Sequence, residues 1–157
     1  MQIGYLADHP AFIPTLAQWH HAQWSYLSLG ATLERRTAHL QSQLGKKQIP
    51  TTLVAYDTTE TGAESVVGSA SLIAQDMDTR PELSPWLASV YVAAEHRGQG
   101  IGSALVRRVV EEAAALNVKT LHLFTPDRES FYARLGWSVI ERCTYRGYPQ
   151  VVMALYL

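Results

Sequence analysis

Apolar residues along this chain recur with two different periods, and the switches between them divide it into strands and helices. Over residues 11–29, Ile13, Leu16, His20, Trp24 and Leu27 are spaced by three and four, the period of one helical face, and Gly30 is a natural terminator. A short strand over 2–6 precedes this helix and is stopped by Asp8, His9 and Pro10. Thr32 opens a second helix over 33–44 as its N-cap, and Gly45 closes it. The pattern then changes. Residues 51–56 and 65–74 are rich in Thr, Val, Tyr and Ile, and the polar, glycine-containing stretch between them predicts an antiparallel pair. A loop over 75–85 leads to a compact apolar strand at 86–92. Beyond it, Ile101, Leu105, Val109 and Ala113 share a helical face, while Arg107, Arg108, Glu111 and Glu112 fall on or near the opposite one, and Asn117 ends the helix. A fifth strand spans 120–124, a short helix runs from Pro126 through Leu135 to the stop at Gly136, and the last strands cover 137–145 and 151–157. This order predicts an α/β fold of the mixed α+β kind. Its central sheet is mixed but mostly antiparallel, with six to seven strands, about four flanking helices and one right-handed parallel crossover.

Composition narrows the picture. A chain of 157 residues that is 47% hydrophobic and 17% charged suits one domain, so residues 1–157 are read as a single unit without repeats or linkers. Thirteen Lys and Arg against fourteen Asp and Glu leave a net charge of -1 with no long run of either sign, which gives no electrostatic reason to expect a nucleic acid or a membrane surface as partner. No window reaches the roughly 18 to 20 apolar residues of a bilayer span. The first ten residues also lack the basic start and apolar stretch of a secretory signal. With Cys143 alone and unable to form an internal disulfide, the expectation is a soluble, cytoplasmic protein. No metal is predicted: His20 and His21 are neighbours that point in different helical directions, and no cysteine cluster accompanies them.

The most informative stretch is EHRGQGIG, residues 95–102, which links a strand to a helix. Glycines at 98, 100 and 102 let the backbone approach a ligand, and amides at a helix start favour a pyrophosphate or similar anion, with Arg97 at the rim. A Walker A loop would need Lys after the last glycine, where Ile101, Gly102 and Ser103 stand instead. A dinucleotide fingerprint begun at Gly98 would need glycine at 103.

The segment Arg97-Gly98-Gln99-Gly100-Ile101-Gly102 instead resembles the R/Q-x-x-G-x-G/A pattern of the GNAT superfamily of N-acetyltransferases, and LASVYV before it is similar to that family's motif strand. About thirty residues on, FYARLGW (residues 131–137) resembles the family's Y-x-x-x-G-F/W segment. Taken with PWLASVYV and LHLFTPD, the pattern is similar to a branch that includes N-terminal amine acetyltransferases, among them the type that modifies actin. The resemblance implies acetyl transfer from acetyl-CoA, as co-substrate, to a primary amine of a small molecule or a peptide N-terminus. It further implies that the main chain of Val90, Tyr91 and Val92 aligns the pantetheine arm. Coenzyme contacts then come from Arg97, Gly98, Gln99, Gly100, Gly102 and Ser103, and Ser130 is a candidate contact to pantetheine or phosphate.

Tyr132 matches the family tyrosine whose hydroxyl protonates the departing thiolate, which makes it the expected general acid. No acidic residue lies in the motif strand, so a base there is excluded. Glu82, Asp76, His20 and His122 are the candidates for action through water, and a water chain alone is the default. Thr125 stands where many relatives have asparagine. For the acceptor, the resemblance points to the junction of the first two helices, with Trp24, Tyr26 and Leu29, and to the connection of the last strands, with Arg142, Tyr145, Arg146 and Tyr148. Two arginines among aromatic walls suit an acceptor with a carboxylate. The rival reading is a domain that binds coenzyme A without transfer. Homodimers through sheet edges are common in the family.

Overall fold

In the computed structural model, which describes residues 1–157, one seven-stranded sheet carries helices on both faces. The strands are β1 (Gln2–Tyr5), β2 (Thr51–Thr58), β3 (Glu64–Ile73), β4 (Trp86–Val92), β5 (Thr120–Thr125), β6 (Ser138–Tyr145) and β7 (Tyr148–Tyr156). The helices are α1 (Ile13–Trp24), α2 (Leu33–Gln41), α3 (Ile101–Ala115) and α4 (Glu129–Arg134). Spatial order is β1-β2-β3-β4-β5-β7-β6; neighbouring strands are antiparallel except β4 and β5, which α3 joins as the one parallel crossover.

Alternation along β2 shows how the two faces are filled. Leu53 and Ala55 pack with Leu105, Val109 and Ala113 of α3, while Val54 and Tyr56 meet Leu16, Ala17 and Leu40 from α1 and α2. A strand covered on both sides carries apolar residues in both phases, hence its nearly continuous hydrophobic run. A third cluster, built on Trp86, Ile73, Met77, Tyr145 and Val152, lies beyond the reach of α1 and is closed by the loop between β3 and β4.

Several boundaries differ from the sequence expectation, each for a local reason. The long first helix is shorter: two 3-10 turns, Leu6–Asp8 and Pro10–Phe12, precede α1, and a third, Ser25–Leu27, follows it. The second helix stops at Gln41, although Thr32 caps it as expected, accepting from the Arg35 amide at 3.1 Å. The short helix α4 begins at Glu129, later than Pro126, because the Thr125 hydroxyl takes the amides of Asp127 and Arg128 at 3.4 and 3.1 Å and holds a turn there. Glu112 is not on the solvent face of α3. It is buried, and its Oε1 accepts from both Tyr5 and Arg108 at 2.8 Å, so a carboxylate that reads as surface charge ties α3 to β1.

Candidate active site

Strands β4 and β5 pair at one register position, Trp86 opposite His122, and diverge toward their C-terminal ends. A crevice outside the carboxyl ends of diverging parallel strands is where open sheets accept ligands. Here it forms a cavity of about 990 Å³, lined by the whole of 87–92 on one side and by Leu123, Phe124 and Thr125 on the other.

A bulge shapes the β4 wall. Ser69 pairs with Tyr91 and Ser71 with Ala88, so two β4 residues, Ser89 and Val90, oppose the single Ala70. Ser89 takes a left-handed conformation, φ 54°, which is strained for a serine. Its carbonyl is held by the Ser69 hydroxyl at 2.9 Å, and that hydroxyl in turn lies 2.8 Å from His20 Nε2. Since the one Ser69 proton goes to the carbonyl, Nε2 of His20 must be the donor, and Nδ1 is left buried without a partner. Burial first, then the nearby Arg36 and His39, pushes the His20 pKa down to about 3 and keeps the ring neutral. The histidine therefore pins the bulge from behind and does not line the cavity.

At the end of β4 the chain turns through Gly98 and Gly100, with φ 79° and 81°, values that L side chains rarely adopt. Neither position has an atom within 4 Å of where a Cβ would stand, so the turn faces open space. Gly102 differs: it is helical, and a Cβ there would make ordinary contacts with Phe131 and Val92 at 3.6 Å. Arg97 fastens the turn to the strand, donating from Nε to the Val92 carbonyl at 2.9 Å with its guanidinium 5.5 Å from the Tyr91 ring centre. The free amides at the start of α3 therefore open onto the same cavity as the bulged strand. Tyr132 borders it too, from α4. It is 8% exposed, and burial raises its phenol well above the ordinary value of 10.0, with Arg128 and Asp127 as opposing smaller influences.

A family model described as an acetyltransferase (GNAT) domain matches residues 49–139, more than half of the chain. The chain belongs to the GNAT acetyltransferase family. Solved structures share its fold. The aminoglycoside 6'-N-acetyltransferase of Enterococcus faecium aligns with a TM-score of 0.74 at 17% identity over 99% of this chain and 97% of its own. For the ribosomal-protein-alanine N-acetyltransferase of Brucella melitensis the values are 0.71 and 23%, over 100% of both chains. The Salmonella typhimurium protein yncA, solved with its cofactor acetyl-CoA, gives 0.69 and 20% over 99% and 93%.

Of the residues that the GNAT resemblance nominates for the coenzyme, Val90, Tyr91, Val92, Arg97, Gly98, Gly100, Gly102 and Ser103 all line the cavity. Gln99 and Ser130 do not. Arg107, Arg128 and Arg134 also border it and escaped the sequence reading as coenzyme-side residues, since scattered arginines on α3, on α4 and in the turn before α4 carry no motif. On the acceptor side, Trp24, Tyr26, Leu29, Tyr145 and Arg146 line it. The Tyr26 ring meets that of Tyr148 at 4.7 Å, and Arg146 donates to the Leu27 carbonyl at 2.8 Å, so the turn after α1 and the β6–β7 connection do converge. Arg142 is elsewhere: it pairs with Glu129 at 2.7 and 3.0 Å on the surface. Arg146 is half spent on Asp78, at 2.7 Å. The cation missed by the sequence reading is Arg36 of α2, which lies 6.0 Å over the Trp24 ring and lines the cavity. Of the four nominated bases, Asp76 alone borders the cavity; burial raises its pKa to about 6 against the opposing pull of Arg36 and Arg146.

Proposed function

We propose that this cleft transfers an acetyl group from acetyl-CoA to a primary amine by direct attack, with the whole of residues 1–157 acting as one catalytic domain. One observation carries the reading: a glycine turn that faces open space at the start of a helix, a bulged strand, and a neutral, buried phenol all border a single cavity. The turn at 97–103 suits the pyrophosphate, and Arg107, Arg128 and Arg134 suit the remaining charge of the coenzyme. The main chain of 90–92 suits the pantetheine arm and the thioester oxygen.

Chemistry then follows from the protonation states. Asp76, with its pKa of about 6, is ionised at neutral pH and positioned in the cavity wall to take a proton from the incoming ammonium, directly or through water. The nitrogen lone pair forms the C–N bond, and the C–S electrons leave with sulfur. Tyr132 gives its proton to that sulfur, and the second amine proton restores the phenol, so the turnover releases one proton, held first on Asp76. The raised phenol pKa keeps Tyr132 protonated until a thiolate needs it.

A thermal-shift titration tests this reading. Acetyl-CoA and coenzyme A should raise Tm with concentration while NAD and ATP do not, because a ligand that binds only the native state stabilises it. Absence of a shift with either coenzyme form would remove the reading.

A further inference from the structure

The acceptor half of the cavity holds two opposite charges that have no partner. The chain has seven ion pairs, and neither Arg36 nor Asp76 takes part in any of them. Both are half-buried, and both line the cavity. Each lies within the field of the other, since Asp76 favours the charged form of Arg36 and Arg36 favours that of Asp76, yet they are separated by more than the 4.0 Å of an ion pair. Buried charges are ordinarily paired because desolvation is costly, and two opposite charges that line one cavity without pairing can each be met by a ligand of matching charges. The guanidinium of Arg36 lies 6.0 Å from the Trp24 ring centre, within cation–π range, and Arg35 from the same helix adds a second cation on the cavity's rim.

The sign of the surroundings selects further. Arg146 pairs with Asp78 and also acts on Asp76, and His21 and His39 add no negative charge. Asp127, the other carboxylate on the cavity lining, is exposed and acts on both Tyr132 and Tyr26, between the two halves. Around the acceptor, therefore, Arg35 and Arg36 are cations without an ion-pair partner, and Asp76 is the half-buried carboxylate. A polycationic acceptor would place its additional charges against Arg35 and Arg36 and meet like-charge repulsion.

We propose that the acceptor of this enzyme is an amine that carries its own carboxylate a few bonds from the nitrogen, with Asp76 receiving the ammonium and Arg36 the carboxylate. This inference rests on the acetyl-transfer reading above. The shared chemistry has two sources, a free amino acid or a peptide whose first residue is acidic.

Thiol release from acetyl-CoA at pH 8 separates the outcomes. The acceptors are aspartate, glutamate, peptides that begin with either, analogues of each in which every carboxyl near the amine is replaced by an amide or an alcohol, and spermidine as polycation. Carboxylate-bearing acceptors should exceed their uncharged analogues by about tenfold or more in kcat/KM, the cost of one charge-assisted contact. Peptides with an acidic start will outrun free amino acids, or the reverse, according to the source. Arg36→Met should erase the preference for the carboxylate while leaving the Tm shift with coenzyme A intact. If Arg36→Met fails that coenzyme control, Arg36→Lys, which keeps the charge and loses the fork, should show a reduced preference. Equal use of carboxylates and amides, a preference for spermidine, no turnover of any carboxylate-bearing amine, or a preference unchanged in the Arg36 variants would each overturn the proposal. A normal coenzyme shift alongside any of these would leave the acetyl-transfer reading standing.

Discussion

The two halves of the cleft are built by different means. On the proposed coenzyme side the cavity wall is made by two consecutive stretches, 90–92 and 97–103 without Gln99, shaped by a bulge and two left-handed glycines. On the proposed acceptor side it is made by single residues from α1, α2, the loop after β3 and the β6–β7 connection, which meet in the fold and nowhere in the sequence. A half that binds through backbone constrains conformation, whereas one that binds through side chains constrains identity. The first is suited to a coenzyme that does not vary, the second to an acceptor that does.

Substitutions in each half should separate along that line. The largest effect is expected at the junction, where Tyr132→Phe removes the proposed proton donor; kcat should fall by about 10²- to 10³-fold with the KM for acetyl-CoA nearly unchanged, read in steady-state thiol release. Next, Gly100→Val forces a β-branched residue to φ 81°, which costs about 1–2 kcal/mol of stability, and its side chain enters the space facing the turn. Coenzyme affinity measured by calorimetry should drop by about 10- to 100-fold as charge-assisted contacts are lost.

Asp76→Asn acts on the acceptor half and has two signatures. Wild-type activity should rise with pH through about 6 as the carboxylate ionises, and the variant should lose about tenfold in kcat/KM at pH 8 together with that limb. His39, beside Arg36, also titrates nearby with a lowered pKa, and the comparison with the variant isolates the Asp76 contribution. Stability should move oppositely. The folded-state pKa is raised from 3.8 to about 6, so the contribution of this carboxyl is fully present below pH 4 and lost as pH rises through 6. The variant should therefore melt higher than wild type at pH 7 to 8, and the gap should close below pH 4. The smallest effect belongs to Arg142→Ala, which breaks an exposed pair with Glu129 outside the cavity. Acceptor KM and Tm should both stay at wild-type values.

The same contrast explains how much could be read from the sequence. Helical and strand periods gave nearly every element, and the coenzyme side was legible because its residues are contiguous and glycine marks a conformation directly. The bulge at Ser89 and Val90 left no such mark. It is specified by Ser69 and His20, two polar residues on elements that read as ordinary core, and their buried hydrogen bonds exist only once α1 lies on β3. Arg142 and Arg36 exchanged roles for a similar reason. On β6 the side chains alternate between two faces, and Arg142 falls opposite the cleft side occupied by Tyr145 and pairs with Glu129. Arg36, on a helix that looks like a solvated face, is turned inward by its packing over Trp24.

Amide hydrogen exchange with and without coenzyme A tests most directly the claim that the coenzyme is held by main chain. The account predicts slowed exchange in peptides covering 90–92 and 97–103, with 31–39 unchanged. Protection confined to the acceptor elements, or none at 97–103 at saturating coenzyme, would contradict it.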